Sequence, residues 1–309
     1  MTRDNMKNKK IKITYKKTAK KEDKKKEKIF YENHESILQI GVPYYKKLYE
    51  KKSSFQNVKV LETKGYGNML INDNVIMTCE RDEFIYHEMI AHVPLFTHPK
   101  PKNVLIIGGG DGGTAREALK HKNITNCIMV EIDPLVIQAC QKHLPQTAIA
   151  FKQSKLNLKI EDGAGFIKKK SNFFDVIIID SSDPIGPSSI LFGKDFYQDA
   201  YKSLKNDGVL TAQAGNFFYN LKTQKQTLKM CQTLGFKYRA FYNYSNLTYP
   251  PGTWSFLFAS KKFHPILDFK AVRVAKSKIN FKYYNAEIHK SCFTQPEFVK
   301  KAFKNFQHL

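Results

Sequence analysis

From Lys102 onward, continuous apolar runs alternate with helix-like stretches, and that alternation limits what the chain can become. NVLII precedes TAREALKH, NCIMVEI precedes PLVIQACQKHL, and LNLKI precedes GAGFIKK. FFDVIIID is followed by a loop and DFYQDAYKSL, DGVLTAQ by LKTQKQTLKMCQTL, and WSFLFAS adds a late strand. A strand that is apolar on both faces must be buried on both. Alternation with helices supplies that burial as a parallel sheet with helices on each side. The pattern predicts a doubly wound α/β fold whose ligands lie beyond the carboxyl ends of its strands.

The upstream sequence has a different grain. From Ile29 to about Asn74, short runs such as KVLET, YGNMLI and NVIMTC are punctuated by Gly65, Gly67 and the Asn72-Asp73-Asn74 turn. They predict a small antiparallel β domain. Glu80 to about His92 reads as a helix limited by Pro94. Residues 1–28 are lysine-dense and carry a net charge of +9, within +23 for the whole chain. Too little apolar surface exists there to offset ordering entropy, so this stretch reads as a disordered basic tail. The expected organisation is a tail over 1–28, a β domain over 29–79 and a catalytic domain over 80–309 with a C-terminal helical extension.

Composition narrows the function. No stretch is long and apolar enough to span a bilayer, and no signal-peptide core follows the charged N-terminus. Cys79, Cys127, Cys140, Cys231 and Cys292 are scattered, which argues against a disulfide framework or a thiolate zinc site and fits a cytoplasmic protein. The basic charge raises nucleic-acid binding as an alternative, chiefly through the tail.

Four polar stations close the predicted strands. Gly108, Gly110 and Gly113 form a GxGxxG pattern between a strand and a helix, where missing side chains let backbone approach a ligand. Glu131 follows about 20 residues beyond, placed to accept both hydroxyls of a ribose. Together these predict a nucleoside site without separating a nicotinamide dinucleotide from S-adenosylmethionine. Asp162-Gly163 ends the third strand, where Asp162 reads as an adenine contact or equally as a helix N-cap. Asp180-Ser181-Ser182-Asp183-Pro184 ends the fourth, and a carboxylate there needs a cationic or donor partner to offset its burial. Asp111, inside the glycine turn, would repel a pyrophosphate or a carboxylate and attract an ammonium.

These motifs carry a resemblance. IIGGGDGG, MVEID, EDG, DSSDPIGP, TCERDEFIYHEM, TYPPG and YYNAEIHKSCFTQPEFV resemble the spermidine synthase family, from about Phe30 to Phe303. The resemblance implies an N-terminal β domain before a Rossmann-like, methyltransferase-type sheet, in a homodimer or homotetramer. It implies an aminopropyltransferase using decarboxylated S-adenosylmethionine as cosubstrate and putrescine as acceptor, with no tightly bound cofactor and no metal. On the cosubstrate side it implies roles for Gln56, Gly108, Gly110, Asp111, Glu131, Asp162, Gly163 and Pro187. On the amine side it implies His87, Asp183, Gln213 and Tyr249, with Asp180 as proton acceptor and Tyr86 beside it. The segment Ile185 to Lys194 is a candidate lid. The chain departs from the family at Phe30, where Trp is frequent, at Asn72, usually apolar, and at Asn74, often Gly. Alternatives are a different acceptor (spermidine or cadaverine), a putrescine N-methyltransferase, and a nicotinamide-dependent oxidoreductase.

Overall fold

The structure is a computed structural model and describes residues 27–34, 37–182 and 186–309. Residues 1–26, which make up nearly all of the predicted tail, lie outside the described residues, as does Asp183. The side chain of Pro187 also lies outside them.

Five strands form the first sheet: β1 (Lys28–His34), β2 (Leu38–Lys52), β3 (Asn57–Thr63), β4 (Asn68–Asn72) and β5 (Val75–Cys79). They pair antiparallel in sequence order. The β4–β5 turn puts Asp73 and Asn74 at φ 47° and 65°. Asn tolerates that left-handed backbone better than most residues, so Asn74 can serve where Gly is common. One face of the sheet buries Phe30, Val42, Leu61, Met69, Ile71, Ile76 and Cys79. Val58, Val60 and Leu70 pack instead on Val136, Ala139, Cys140 and Leu144 of the second unit. That shared core fixes the first sheet as one wall of the site.

Helix α1 (Glu83–Thr97) leads into the second sheet. The sequence predicts a helix that stops before Pro94, but the structure carries it through that residue. Pro94 has no N–H to give, yet it stands near the C-terminus, where its own carbonyl still accepts from His98 N at 3.0 Å. Residues 86–97 are all buried, and this packing offsets the lost bond.

The second sheet contains β6 (Asn103–Gly108), β7 (Asn126–Glu131), β8 (Leu156–Ile160), β9 (Phe174–Asp180), β10 (Leu204–Asn216), β11 (Tyr238–Tyr244) and β12 (Trp254–Ser260). Their order is β11-β12-β10-β9-β6-β7-β8. Alternate residues enter two cores. Val104, Ile106, Val176 and Ile178 join α1 on one face, while Leu105, Ile107, Ile177 and Ile179 meet Phe166, Ile167 and Phe196 on the other. This is the doubly wound, Rossmann-like sheet expected from the apolar runs, with one difference. The late strand β12 runs antiparallel to both β10 and β11, so the sheet is mixed. An antiparallel partner needs only a short connection, and nine residues separate β11 from β12.

The helices that touch the site start directly after strands. They are α2 (Gly113–Leu119) after β6, α3 (Pro134–His143) after β7, and the short helix Gly163–Lys168 after β8. Three helices, Ala271–Ser277, Ala286–Ser291 and Glu297–Phe303, complete the C-terminal part.

Candidate active site

Chain order reverses at β6, with β7 and β8 on one side and β9 and β10 on the other. The crevice beyond such a switch point is where open α/β sheets bind ligands. A cavity of about 230 Å³ lies there, roofed by the β4–β5 hairpin and α1. The backbone is tight at its floor. Gly108 pairs with Asp180 in the β6–β9 register, and Gly109 N donates to the Asp180 carbonyl at 2.9 Å. Gly108 has φ 82°, and a Cβ there would lie 2.2 Å from that carbonyl oxygen, so no other residue fits.

Asp180 stands at the centre. Its Oδ1 accepts from the Tyr86 hydroxyl at 2.7 Å, and its Oδ2 from the Thr114 hydroxyl at 2.6 Å. Burial, and then the charge of Asp111, push the Asp180 carboxyl above its ordinary range, against the opposing effects of His87 and the two hydroxyls. Such a carboxylate is a better proton acceptor than an exposed one. Asp111 Oδ1 accepts from Gly113 N at 2.5 Å, which holds its side chain inside the glycine turn.

A chain of charges backs Asp111. His87 Nε2 lies 3.2 Å from Asp111 Oδ2, and His87 Nδ1 lies 2.6 Å from Glu83 Oε2. Arg116 then donates through both terminal nitrogens to Glu83, at 2.9 and 2.8 Å. Burial lowers the His87 pKa, but the carboxylates of Asp111 and Glu83 outweigh it and push the value up to about 10. His87 is therefore an imidazolium at neutral pH, donating from both nitrogens. Burial acts upward on Glu83, yet His87 and Arg116 hold it down at about 2. Each buried charge thus has an opposite neighbour, the condition under which burying them is tolerable.

Glu131 forms a second acidic point. Its Oε1 accepts from Asp133 N at 2.8 Å, and burial pushes its carboxyl up to about 7. Gln56 reaches this side from the loop before β3, where its Nε2 donates to Asp133 Oδ2 at 3.0 Å beside the Ser53 hydroxyl at 2.7 Å. Asp162 caps the helix it precedes, accepting from Ala164 N at 3.1 Å and Gly165 N at 2.8 Å. The N-cap alternative therefore holds. Gly110, Asp162 and Gly163 line the cavity with Glu131, and a carboxylate with two caps retains acceptor capacity.

Aromatic rings close the far side. Tyr86 stands edge-on to Tyr244, Tyr249 and Phe256 at 5.7, 6.0 and 4.9 Å between centroids. The Tyr249 hydroxyl donates to Met77 O at 2.8 Å. Gln213 lines this wall, as do Ile190 and Leu191 from the 3₁₀ helix Gly186–Phe192, which falls within the predicted lid.

Among the predicted residues, Gln56, Tyr86, His87, Gly108, Gly110, Asp111, Glu131, Asp162, Gly163, Asp180, Gln213 and Tyr249 all line this one cavity. The sequence reasoning missed Thr114, Glu83, Arg116 and Asp133, which position those side chains. It also missed His34, Glu32 and Trp254 of the lining. His34 comes from β1, and nothing local in KIFYENH marks it as a site residue. One trio of potential metal ligands occurs among the described residues, His98, Asp175 and Asp207. It lies at the other end of β9, where Asp175 already pairs with Lys205 and accepts from two backbone amides.

The arrangement suits a cationic ligand with a nucleoside part, and known proteins bear on this. The sequence profile of the Spermine/spermidine synthase domain matches residues 83–271, and that of the Spermidine synthase tetramerisation domain matches 31–80. The polyamine aminopropyltransferase of Methanocaldococcus jannaschii is 43% identical over 277 residues, 89% of this chain and 94% of that protein. The Thermotoga maritima polyamine aminopropyltransferase is 44% identical over 255 residues, 82% of this chain and 86% of its own. A crystal structure of spermidine synthase in complex with the transition-state analogue AdoDATO superposes with a TM-score of 0.87 at 41% identity, covering 89% of this chain and 94% of that one.

Proposed function

This chain belongs to the spermine/spermidine synthase family of aminopropyltransferases, and from that premise we propose that it moves the aminopropyl group of decarboxylated S-adenosylmethionine onto putrescine. The products are spermidine and 5′-methylthioadenosine. The observation that carries this reading is the meeting of Asp111 and Asp180 in one cleft, with Asp111 inside the glycine turn. A carboxylate there disfavours a pyrophosphate or an amino-acid carboxylate and favours an ammonium. The likeness to a spermidine synthase bound to AdoDATO adds support.

In this proposal Glu131 accepts from the ribose diol, Gln56 and Asp162-Gly163 contact the nucleoside, and Gly108 and Gly110 let the backbone come close. Asp111 holds the ammonium of the aminopropyl arm. Gln213, Tyr249 and Asp183 contact the amine acceptor, and Pro187 lines the thioether side. His87, expected on the amine side, has both ring nitrogens engaged by Glu83 and Asp111 and acts through Asp111 instead. A primary amine has a pKa of ~10.4, so its attacking end must lose a proton before it has a lone pair to offer. Asp180 takes that proton, held in position by Tyr86 and Thr114. The nitrogen lone pair then forms a bond to the propyl methylene carbon that is attached to the sulfonium sulfur. The carbon–sulfur bond breaks, its electrons return to sulfur, and a neutral thioether departs. Placing the two reactants in line can lower the barrier by ~7–11 kcal/mol. A homo-oligomer is also proposed. Ile29 and Tyr31 are exposed on β1, in or beside the segment matched by the tetramerisation profile.

Incubation with decarboxylated S-adenosylmethionine and separate diamines or polyamines tests this. Spermidine and 5′-methylthioadenosine should accumulate fastest with putrescine. Faster transfer to spermidine or cadaverine would replace the acceptor. Methylation of putrescine from intact S-adenosylmethionine, or no transfer to any amine, would overturn the reaction itself.

A further inference from the structure

Asp82 occupies the N-cap position of α1, where an Asp ordinarily accepts from the first free amides of its own helix. It makes no such bond. Its Oδ2 instead accepts from the backbone amides of Leu247, at 2.6 Å, and Thr248, at 2.9 Å. Its Oδ1 accepts from the Thr248 hydroxyl and from the Cys79 thiol, the latter at 3.1 Å. Asp82 is 3% exposed. Burial, with the Asp82 charge beside it, pushes the Cys79 thiol up to about 12, so that thiol remains a donor. Three separate elements therefore meet at one carboxylate: the end of β5, the start of α1, and the loop between β11 and β12.

The position of this junction matters for the site. Four residues after Asp82 comes Tyr86, bonded to Asp180, and then His87, bonded to Asp111. The residue after Thr248 is Tyr249, whose ring stands 6.0 Å from that of Tyr86 at 83°. Beyond the junction at Asp82, that loop is tied to the first sheet by the bond from the Tyr249 hydroxyl to Met77 O. A charged acceptor serving two backbone amides and a hydroxyl is a strong tether, because such bonds exceed neutral ones.

We infer that Asp82 is a positioning residue for the acceptor amine, fixing Tyr249 against Tyr86 and so setting the shape of the aromatic wall that these two rings give the cavity. This rests on the proposed aminopropyl transfer. Asp82 touches no substrate itself. It acts through the loop it holds, and its diversion from helix capping is the structural trace of that task.

The Asp82→Asn variant keeps the shape but turns an amide NH2 toward donors. The KM for putrescine should rise by about tenfold or more, as expected when bonds to a charged acceptor are lost. The Kd for 5′-methylthioadenosine should stay within about twofold of wild type, because its contacts lie across the cleft. Thr248→Val removes one donor only and should raise the same KM by a smaller factor. An unchanged putrescine KM in Asp82→Asn would overturn the inference, and so would a parallel loss of nucleoside and amine binding. Should Asp82→Asn fail to fold, Thr248→Val and Cys79→Ala decide, and a wild-type KM in both would overturn it. Wild-type protein without aminopropyl transfer would refute the functional proposal. An active wild type with an insensitive Asp82 would refute this inference alone.

Discussion

Asp180 shows how a single side chain acquires its chemistry from its neighbours. Its carboxylate is half-buried, faces another acid, and is held at both oxygens by hydroxyls. Asp180→Asn keeps that shape and removes the proposed proton acceptor. Turnover should fall by about 10²–10⁴-fold, the usual value of positioned proton transfer. Affinity for 5′-methylthioadenosine, measured by calorimetry, should change little; undiminished turnover would refute the assignment. Asp180, Asp111 and Glu131 were legible in the sequence because each follows an apolar strand, where a lone acid is conspicuous. Their supports were not. Glu83 and Arg116 are ordinary helix residues in sequence, and only the packing of α1 on α2 makes them the ion pair behind His87. Thr114 likewise looks like the start of a helix until β9 brings Asp180 beside it.

Among the elements, the turn from β6 into α2 is the most constrained. At Gly113 an added Cβ would lie 2.3 Å from ring atoms of His87. That ring cannot easily yield, because Glu83 and Asp111 grip its two nitrogens. Gly113→Ala should therefore cost about 2 kcal/mol or more by overpacking. At Gly65, exposed and with its nearest contact at 3.9 Å, the same change should stay within about 0.5 kcal/mol. Urea denaturation of both variants checks the contrast, and equal stabilities would count against a gripped His87. The glycine turn and most strands of the second sheet could be read in advance, since apolar runs and helices alternate there without ambiguity. Three features could not. β2 spans LQIGVPYYKKLYEKK, which lacks clear alternation and contains Gly and Pro; its pairing to β1 and β3 on both sides makes it a strand. β11 is YRAFYNY, whose order next to β12 depends on tertiary pairing. Pro94 stays helical because of burial, which local sequence does not encode.

At the scale of the whole molecule, a chain of net charge +23 keeps a cleft lined by Glu32, Asp111, Glu131, Asp162 and Asp180. The surface and the site thus carry opposite character, which repels cationic substrate at long range and attracts it at short range. Salt screens the first effect more than the second, because the cleft is buried. The same burial makes the site sensitive to pH. Glu131 rises from 4.5 to about 7 in the folded protein. Between those values the folded chain holds a proton that the unfolded chain has released. This contribution to stability is therefore fully present below about pH 4.5, declines as pH rises, and is gone above about pH 7. Glu131→Gln should remove that part of the slope in thermal melts. Nucleoside binding should run the other way. In the proposed binding mode two ribose hydroxyls donate to Glu131 and favour its ionised form, so 5′-methylthioadenosine must expel the proton to bind well. Its affinity should increase as pH rises from about 5.5 to 7.5, approaching tenfold per pH unit below the pKa. Calorimetry in buffers of different ionisation enthalpy should register proton release on binding near pH 6. The Glu131→Gln variant should bind more weakly and without that release. A wild-type affinity independent of pH over this range would mean that Glu131 does not receive the ribose.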